Sequence, residues 1–224
     1  MRNRFQSVLA FAAGLLIAGC ASAPKERFYT LNAVAPASAP VPSSASAGMM
    51  TLSLTGLTLP ELYDRPQFVV REAANRVDIK EEHRWAQSLR LEIARVLSAD
   101  LGAHLPNATL LSTDTRPIPV HGPDYRIGIN IEQFDATPGD GVTVLANWTI
   151  RGNSSSNSNS SSNNAGVAST YNGRSNVREA VDGPGYDALA AAYSRALGAI
   201  SSDIATRLNS LPRPSRQSGT TGRN

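Results

Sequence analysis

The order of hydrophobic patterns along the chain predicts an α+β fold: a mostly antiparallel sheet with two long helices packed on one face, in a single domain. Two observations carry that reading. Residues 125–131 and 142–150 alternate apolar and polar side chains as half-buried strands do, and stripes with a helical period follow Arg84 and Pro184, each needing a surface to cover it. The chain of 224 residues is 41% hydrophobic and 17% charged. Without a leader, a linker and a polar tail, about 160 residues remain, an ordinary size for one core.

Taken in order, Phe28-Tyr29-Thr30-Leu31 has the aromatic and β-branched content of a short edge strand. Residues 33–47 are almost wholly Ala, Pro, Ser and Val, too poor in apolar bulk to pack, and 20–50 as a whole reads as an anchored linker. Residues 51–59 form a strand whose Leu52/Leu54 phase slips to Leu57/Leu59 across Gly56, the mark of a bulge. Residues 67–71 and 77–79 then make a hairpin with a polar turn. From Arg84 a helical stripe of Trp85, Leu89, Ile93, Val96 and Leu97 runs to about His104, with Glu81 and Glu82 placed to favour its positive end.

After a weaker strand at 109–112, Tyr125, Ile127, Ile129 and Ile131 point inward, with Arg126, Gly128, Asn130 and Glu132 outward. Residues 135–141 supply the turn to a partner strand carrying Val142, Val144, Ala146, Trp148 and Ile150 on one face. A Ser/Asn-rich insertion at 151–165 reads as disordered, cheap because loop-closure entropy grows only logarithmically. Strand propensity resumes at 167–177. Asp182-Gly183-Pro184 offers a cap and a first-turn proline for a helix with Tyr186, Leu189, Tyr193, Leu197, Ile200, Ile204 and Leu208 in one stripe. Residues 212–224 form a basic, disordered tail.

Chemistry is sparse. There is no nucleophile elbow, zinc-protease helix motif, phosphate-binding loop or dinucleotide fingerprint, so the chain reads as a non-enzyme with no cofactor and no metal. His83, His104 and His121 lack ligand spacing. The net charge is +3; removing Arg2 and Arg4 with a leader leaves 19 basic against 18 acidic residues, which argues against nucleic acid as a partner. The densest charge lies in 61–84, where Tyr63 and Phe68 interleave with ionic side chains, a solvated face or a docking surface with aromatic anchors.

The N-terminus is the most specific signal. Arg2 and Arg4 precede an apolar run from Val8 to Ala18, too short to span a bilayer but right for export, and it ends at Ile17-Ala18-Gly19-Cys20. This reads as a lipoprotein signal peptide, residues 1–19, with Cys20 receiving the lipid and a palmitate-type acyl chain at the new N-terminus. Two or three acyl chains anchor durably where one does not. With Ala21 at the sorting position, the expected place is the periplasmic face of the outer membrane.

Several of these residues together resemble one family. Phe28-Tyr29-Thr30-Leu31 soon after the cysteine, Leu59-Pro60-Glu61-Leu62-Tyr63-Asp64-Arg65-Pro66-Gln67, Val70-Arg71, His83-Arg84-Trp85-Ala86, and a last helix with Ala196-Leu197 and Ile204-Ala205 are similar to the PqiC (YmbA) family of ABC-type transport auxiliary lipoproteins. The resemblance covers a domain at 51–211 and departs at the insertion and tail. It implies an auxiliary subunit of a lipid-trafficking complex built on MCE-domain proteins. A PqiB-like MCE protein would be its partner, with docking at the outer-membrane end, homo-oligomer formation and support of membrane integrity. Tyr63, Arg65, Gln67, Arg71 and Arg84 are the candidate partner-binding residues. A lipid-binding carrier and an envelope assembly lipoprotein remain alternatives.

Overall fold

Two sheets of unequal size share one core with two long helices. The computed structural model describes residues 25–34, 50–111, 122–153 and 169–211. The expected leader, Cys20, most of the linker and insertion, and the tail lie outside the described residues. Strand β1 (Arg27–Tyr29) is followed by β2 (Met50–Thr58), β3 (Gln67–Ala73), β4 (Arg76–Trp85), helix α1 (Leu89–His104), β5 (Ala108–Leu111), β6 (Tyr125–Thr137), β7 (Gly141–Gly152), β8 (Thr170–Ala180) and helix α2 (Tyr186–Asn209). The small sheet runs β1-β4-β3 and the large one β5-β2-β6-β7-β8.

The α+β class holds, but the strands form two mixed sheets. The pairs β3–β4, β6–β7 and β7–β8 are antiparallel; β1–β4, β2–β5 and β2–β6 are parallel. For the β2–β5 pair, α1 lies in the connection and serves as the crossover a parallel neighbour needs. The slip expected at Gly56 is present: β2 tracks β6 with Leu54 opposite Ile127 and Gly56 opposite Gly128, leaving Thr55 as the extra residue.

Both helices pack on each other and on one face of the large sheet, α2 across β7 and β8 and α1 against β2 and β5. Leu189, Tyr193, Leu197, Ile200, Ile204 and Leu208 are buried as the stripe requires. Ala192, Ala196, Gly198 and Ser201 are buried too, because α1 covers a second side of α2. Among the described residues no helix is long and apolar enough to cross a membrane.

Local boundaries differ from the sequence reading for physical reasons. Arg84 and Trp85 end β4 rather than start α1. Trp85 N–H donates to the Pro66 carbonyl at 2.7 Å, and β1 lies alongside with Tyr29 opposite Trp85. Trp85 is buried, so its four-residue offset from Leu89 imitates a helical stripe. Glu81 and Glu82 therefore sit in β4 and cap no helix. Asp135 belongs to β6, the turn shrinking to residues 138–140. Gly185, at φ 96°, occupies the cap position of α2, leaving Pro184 outside the first turn. Strand β7 runs through Arg151 to Gly152, so the insertion begins later than expected.

The presumed linker also starts later. Leu31 is fully buried, and residues 31–34 lie across the two helices. Backbone N–H groups of Leu31, Asn32 and Val34 donate to Glu92 Oε2 at 3.2 Å, Ser194 Oγ at 3.1 Å and Asp100 Oδ1 at 2.7 Å. Arg95 Nη2 closes the arrangement on the Leu31 carbonyl and Glu92. These side chains do for the strap what a neighbouring strand would otherwise do for its backbone.

Candidate functional site

Backbone pairing in the small sheet brings the three sequence signatures together. Gln67 is the register partner of Arg84, Phe28 lies opposite Arg84 on the other side, and Ala86 N–H donates to the Tyr29 carbonyl at 2.8 Å. With the Trp85–Pro66 bond, Tyr29, the Arg65-Pro66-Gln67 turn and Arg84-Trp85-Ala86 form one stitched unit at the mouth of the helix pair. Between the turn and the β4–α1 connection opens a cleft of about 400 Å³, lined by Arg65, Pro66, Trp85, Gln87, Ser88 and Leu89.

Its walls are apolar and its rim is ionic. Asp64 on the turn pairs with Arg90 in the first turn of α1, fixing the width of the opening. Among the described residues Arg65 has no such partner: its Nε is sealed from solvent and makes no hydrogen bond. A buried donor left unsatisfied is expensive unless something supplies an acceptor. The arrangement suits an apolar segment lying against Trp85 and Leu89 with an anionic group at Arg65. Among the described residues no group of three His, Cys, Asp or Glu side chains is placed to hold a metal ion.

Tyr63 and Arg71 meet one level deeper. Both donate to Asp135 Oδ1, Arg71 Nη2 at 2.8 Å, while Gln133 Nε2 donates to Oδ2 at 2.6 Å. Burial works to raise the Asp135 pKa, but the bonds from Arg71, Tyr63 and Gln133 overcome it and hold the carboxyl below its ordinary value. Burial first, then the Asp135 bond, pushes the Tyr63 hydroxyl up to about 12. Tyr63 is 6% exposed. Its place is behind the cleft, holding the turn that carries Arg65 to β3 and β6.

Gln67 and Arg84 face outward on the small sheet. Gln67 Nε2 reaches Glu81 Oε2 at 3.1 Å, and Arg84 bonds the Glu81 carbonyl at 3.0 Å and the Glu26 carboxylate at 3.3 Å. The five candidate residues thus fall into three groups: Arg65 at the cleft, Tyr63 with Arg71 beneath it, and Gln67 with Arg84 on the adjoining surface. Cys20 lies outside the described residues. The sequence reading missed Asp64, Arg90 and Asp135. Asp135 was hidden among turn formers, although the break in alternation after Ile131, where the β6–β7 register shifts, signals an irregular strand.

An aromatic chain backs the site. Phe68 stacks on Trp85 with centroids 4.4 Å apart, Tyr193 stacks on Phe134 at 3.9 Å, and Tyr193 also contacts both Phe68 and Trp85 edge-on or tilted at 6.2 Å. His83 lies flat on Tyr186 at 3.8 Å, with the Tyr29 hydroxyl 2.6 Å from its Nδ1. The cleft wall is rigid because Trp85 is held by rings on the buried side.

Comparison with known proteins shows a family and a fold that this chain shares. The family described as ABC-type transport auxiliary lipoprotein component matches residues 29–205. No curated protein matches the chain by sequence. Among solved structures, an uncharacterized protein superposes with a TM-score of 0.63 at 14% identity, covering 82% of this chain and 99% of its own. A Xanthomonas campestris protein of the DUF330 family gives a TM-score of 0.56 at 14% identity, covering 81% and 94%. At that identity these two relatives share the fold.

Proposed function

The chain belongs to the ABC-type transport auxiliary lipoprotein family, and on that premise we propose that it is a Cys20-anchored periplasmic subunit at the outer membrane, docking an MCE-type lipid-transport protein through the Arg65 cleft. The observation that carries this reading is that Arg65-Pro66 and Trp85-Ala86, held together by the Trp85–Pro66 and Ala86–Tyr29 backbone bonds, frame one open cleft beside the segment that leads back toward Cys20. Such a cleft, with apolar walls and an Arg65 side chain that makes no ion pair among the described residues, fits a protein partner better than a reaction centre. Its role is to hold the complex at the membrane, without bond chemistry, as one copy or as a homo-oligomer.

The carrier alternative asks for an enclosed chamber. The hollow among Tyr63, Phe68, Trp85 and Phe134 is about 10 Å³, room for little more than one water. The test is affinity purification of the tagged full chain from crosslinked envelopes, with Cys20→Ala as control. Recovery of an MCE-domain protein, reduced by Cys20→Ala, supports the reading. Recovery of an outer-membrane β-barrel instead, or of stoichiometric lipid with no MCE protein, overturns it.

A further inference from the structure

The helix-free face of the large sheet carries a second feature, independent of the cleft. Arg126 on β6 and Arg151 on β7 are directly opposite each other in register, both exposed, with Thr170 of β8 next in the row. Like charges facing across an antiparallel pair repel. The other two arginines of this sheet are neutralised: Arg174 lies 3.6 Å from Glu132 and Arg178 lies 2.7 Å from Asp140. Among the described residues Arg126 and Arg151 have no hydrogen-bonding or ion-pair partner. The closest acid in sequence, Asp124, turns its carboxylate to the Thr51 N–H and hydroxyl at 2.6 and 2.7 Å.

A glycine stands beside the pair. Gly122 takes a left-handed φ of 71°, and a methyl built there would stand 3.5 Å from Arg126 Nη2 and 3.6 Å from Asn153 Nδ2. With only a hydrogen at Gly122, the Arg126 guanidinium lies directly over the backbone beside the pair. Residues 154–168, which follow Asn153, contain no charged side chain in their sequence, so they add no counter-ion. Planar guanidinium forks match the paired oxygens of a phosphate, which also removes their mutual repulsion.

We propose that Arg126 and Arg151, side by side on the exposed sheet face, form a binding site for a phosphate group. Two sources share that chemistry, a phospholipid headgroup and free inorganic phosphate. The full chain in neutral detergent is titrated at low salt with inorganic phosphate and with dihexanoyl phosphatidylglycerol below its micelle concentration, followed by calorimetry and melting temperature. Saturable binding, weakened about tenfold in Arg126→Gln and in Arg151→Gln, as loss of one charge-assisted contact requires, supports the site. Tighter binding of the lipid assigns it to a headgroup; equal binding assigns it to phosphate itself. Because both side chains are exposed, the variants retain the fold, and a melting temperature unchanged or raised without phosphate is part of the expected result. Absence of saturable binding, or binding unaltered in the Arg126→Gln/Arg151→Gln double variant, overturns the proposal.

Discussion

The Tyr63 hydroxyl donates to the carboxylate of Asp135, a residue 72 positions further along the chain. That bond joins the turn behind the cleft to a strand of the large sheet, and Arg71 and Gln133 complete it. Asp135→Ala leaves the buried hydroxyl without an acceptor and the part-buried Arg71 guanidinium with only the Ala74 carbonyl, and is expected to cost about 3 kcal/mol, whereas Tyr63→Phe removes one bond and costs about 1 kcal/mol. The Asp135 carboxyl is held below its unfolded value, so its contribution is present above about pH 4 and is lost as pH falls through the folded pKa. Urea denaturation of both variants at pH 7 and pH 3 checks the sizes and the sign; equal losses for the two at pH 7 would refute the shared-acceptor account.

How much of this was legible in the sequence depends on the range of the interaction. The β6–β7 alternation, the Gly56 bulge and the α2 stripe are local periodicities and read directly. Trp85 was misplaced because a strand end and a helix start four residues apart bury the same face, and only the long-range bond to Pro66 tells them apart. Parallel pairing of β1 with β4 and of β2 with β6 leaves no local trace. The cleft was half legible: Arg65, Pro66 and Trp85 stood out, but Asp64 with Arg90 and Tyr63 with Asp135 are pairings between segments that sequence spacing does not link.

Trp148 lies flat over Gly173 on the neighbouring strand. A methyl at residue 173 would come within 2.1 Å of Trp148 Cζ2, and the indole N–H, which donates to Ser175 Oγ at 3.1 Å, would have to move with the ring. Gly173→Ala is expected to destabilise by about 2 kcal/mol, in the range for an overpacked site. Adding Trp148→Leu should recover part of that loss, so a double-mutant cycle by thermal melting must be non-additive. Additive losses would mean that the glycine is required for its backbone rather than for the ring above it.

Asp100 is fully buried on α1, one oxygen on the Val34 N–H and the other without a partner. Burial pushes its pKa up, against the lowering effects of the Val34 bond and His104. With the folded pKa above the unfolded one, the folded state binds more protons in between, so this residue favours folding on acidification and opposes it at neutral pH. Asp100→Asn keeps an acceptor for Val34 and removes the buried charge. It should raise stability at pH 7 by about 1 kcal/mol, with the advantage shrinking toward pH 4. A loss at pH 7 would show that the charge itself holds the strap.

His83 gives the opposite slope. Burial, then the charge of Arg27, lowers its pKa, which favours the neutral ring, with Nδ1 2.6 Å from the Tyr29 hydroxyl. As pH falls below about 6.5 the unfolded chain takes up the proton first, so stability declines until the folded pKa is passed. His83→Phe keeps the stack on Tyr186 and should flatten that part of the stability profile between pH 7 and pH 5. An unchanged slope would assign it to other groups.

Arg65 and Arg71 sit six residues apart and should fail differently. Arg71 shares Asp135 with Tyr63, so Arg71→Ala removes the cation from a part-buried ion pair and lowers the melting temperature. Among the described residues Arg65 has no ion pair, and its sealed Nε makes no hydrogen bond. Arg65→Ala removes a buried, unsatisfied donor and therefore leaves stability unchanged or raises it by about 1 kcal/mol. If the cleft is where the partner docks, the same substitution strips the transport partner from crosslinked envelopes while Arg84→Ala, on the adjoining surface, weakens recovery less. Full recovery with Arg65→Ala at unchanged stability would move the docking surface away from the cleft and onto the outer face of the small sheet, where Gln67 and Arg84 lie.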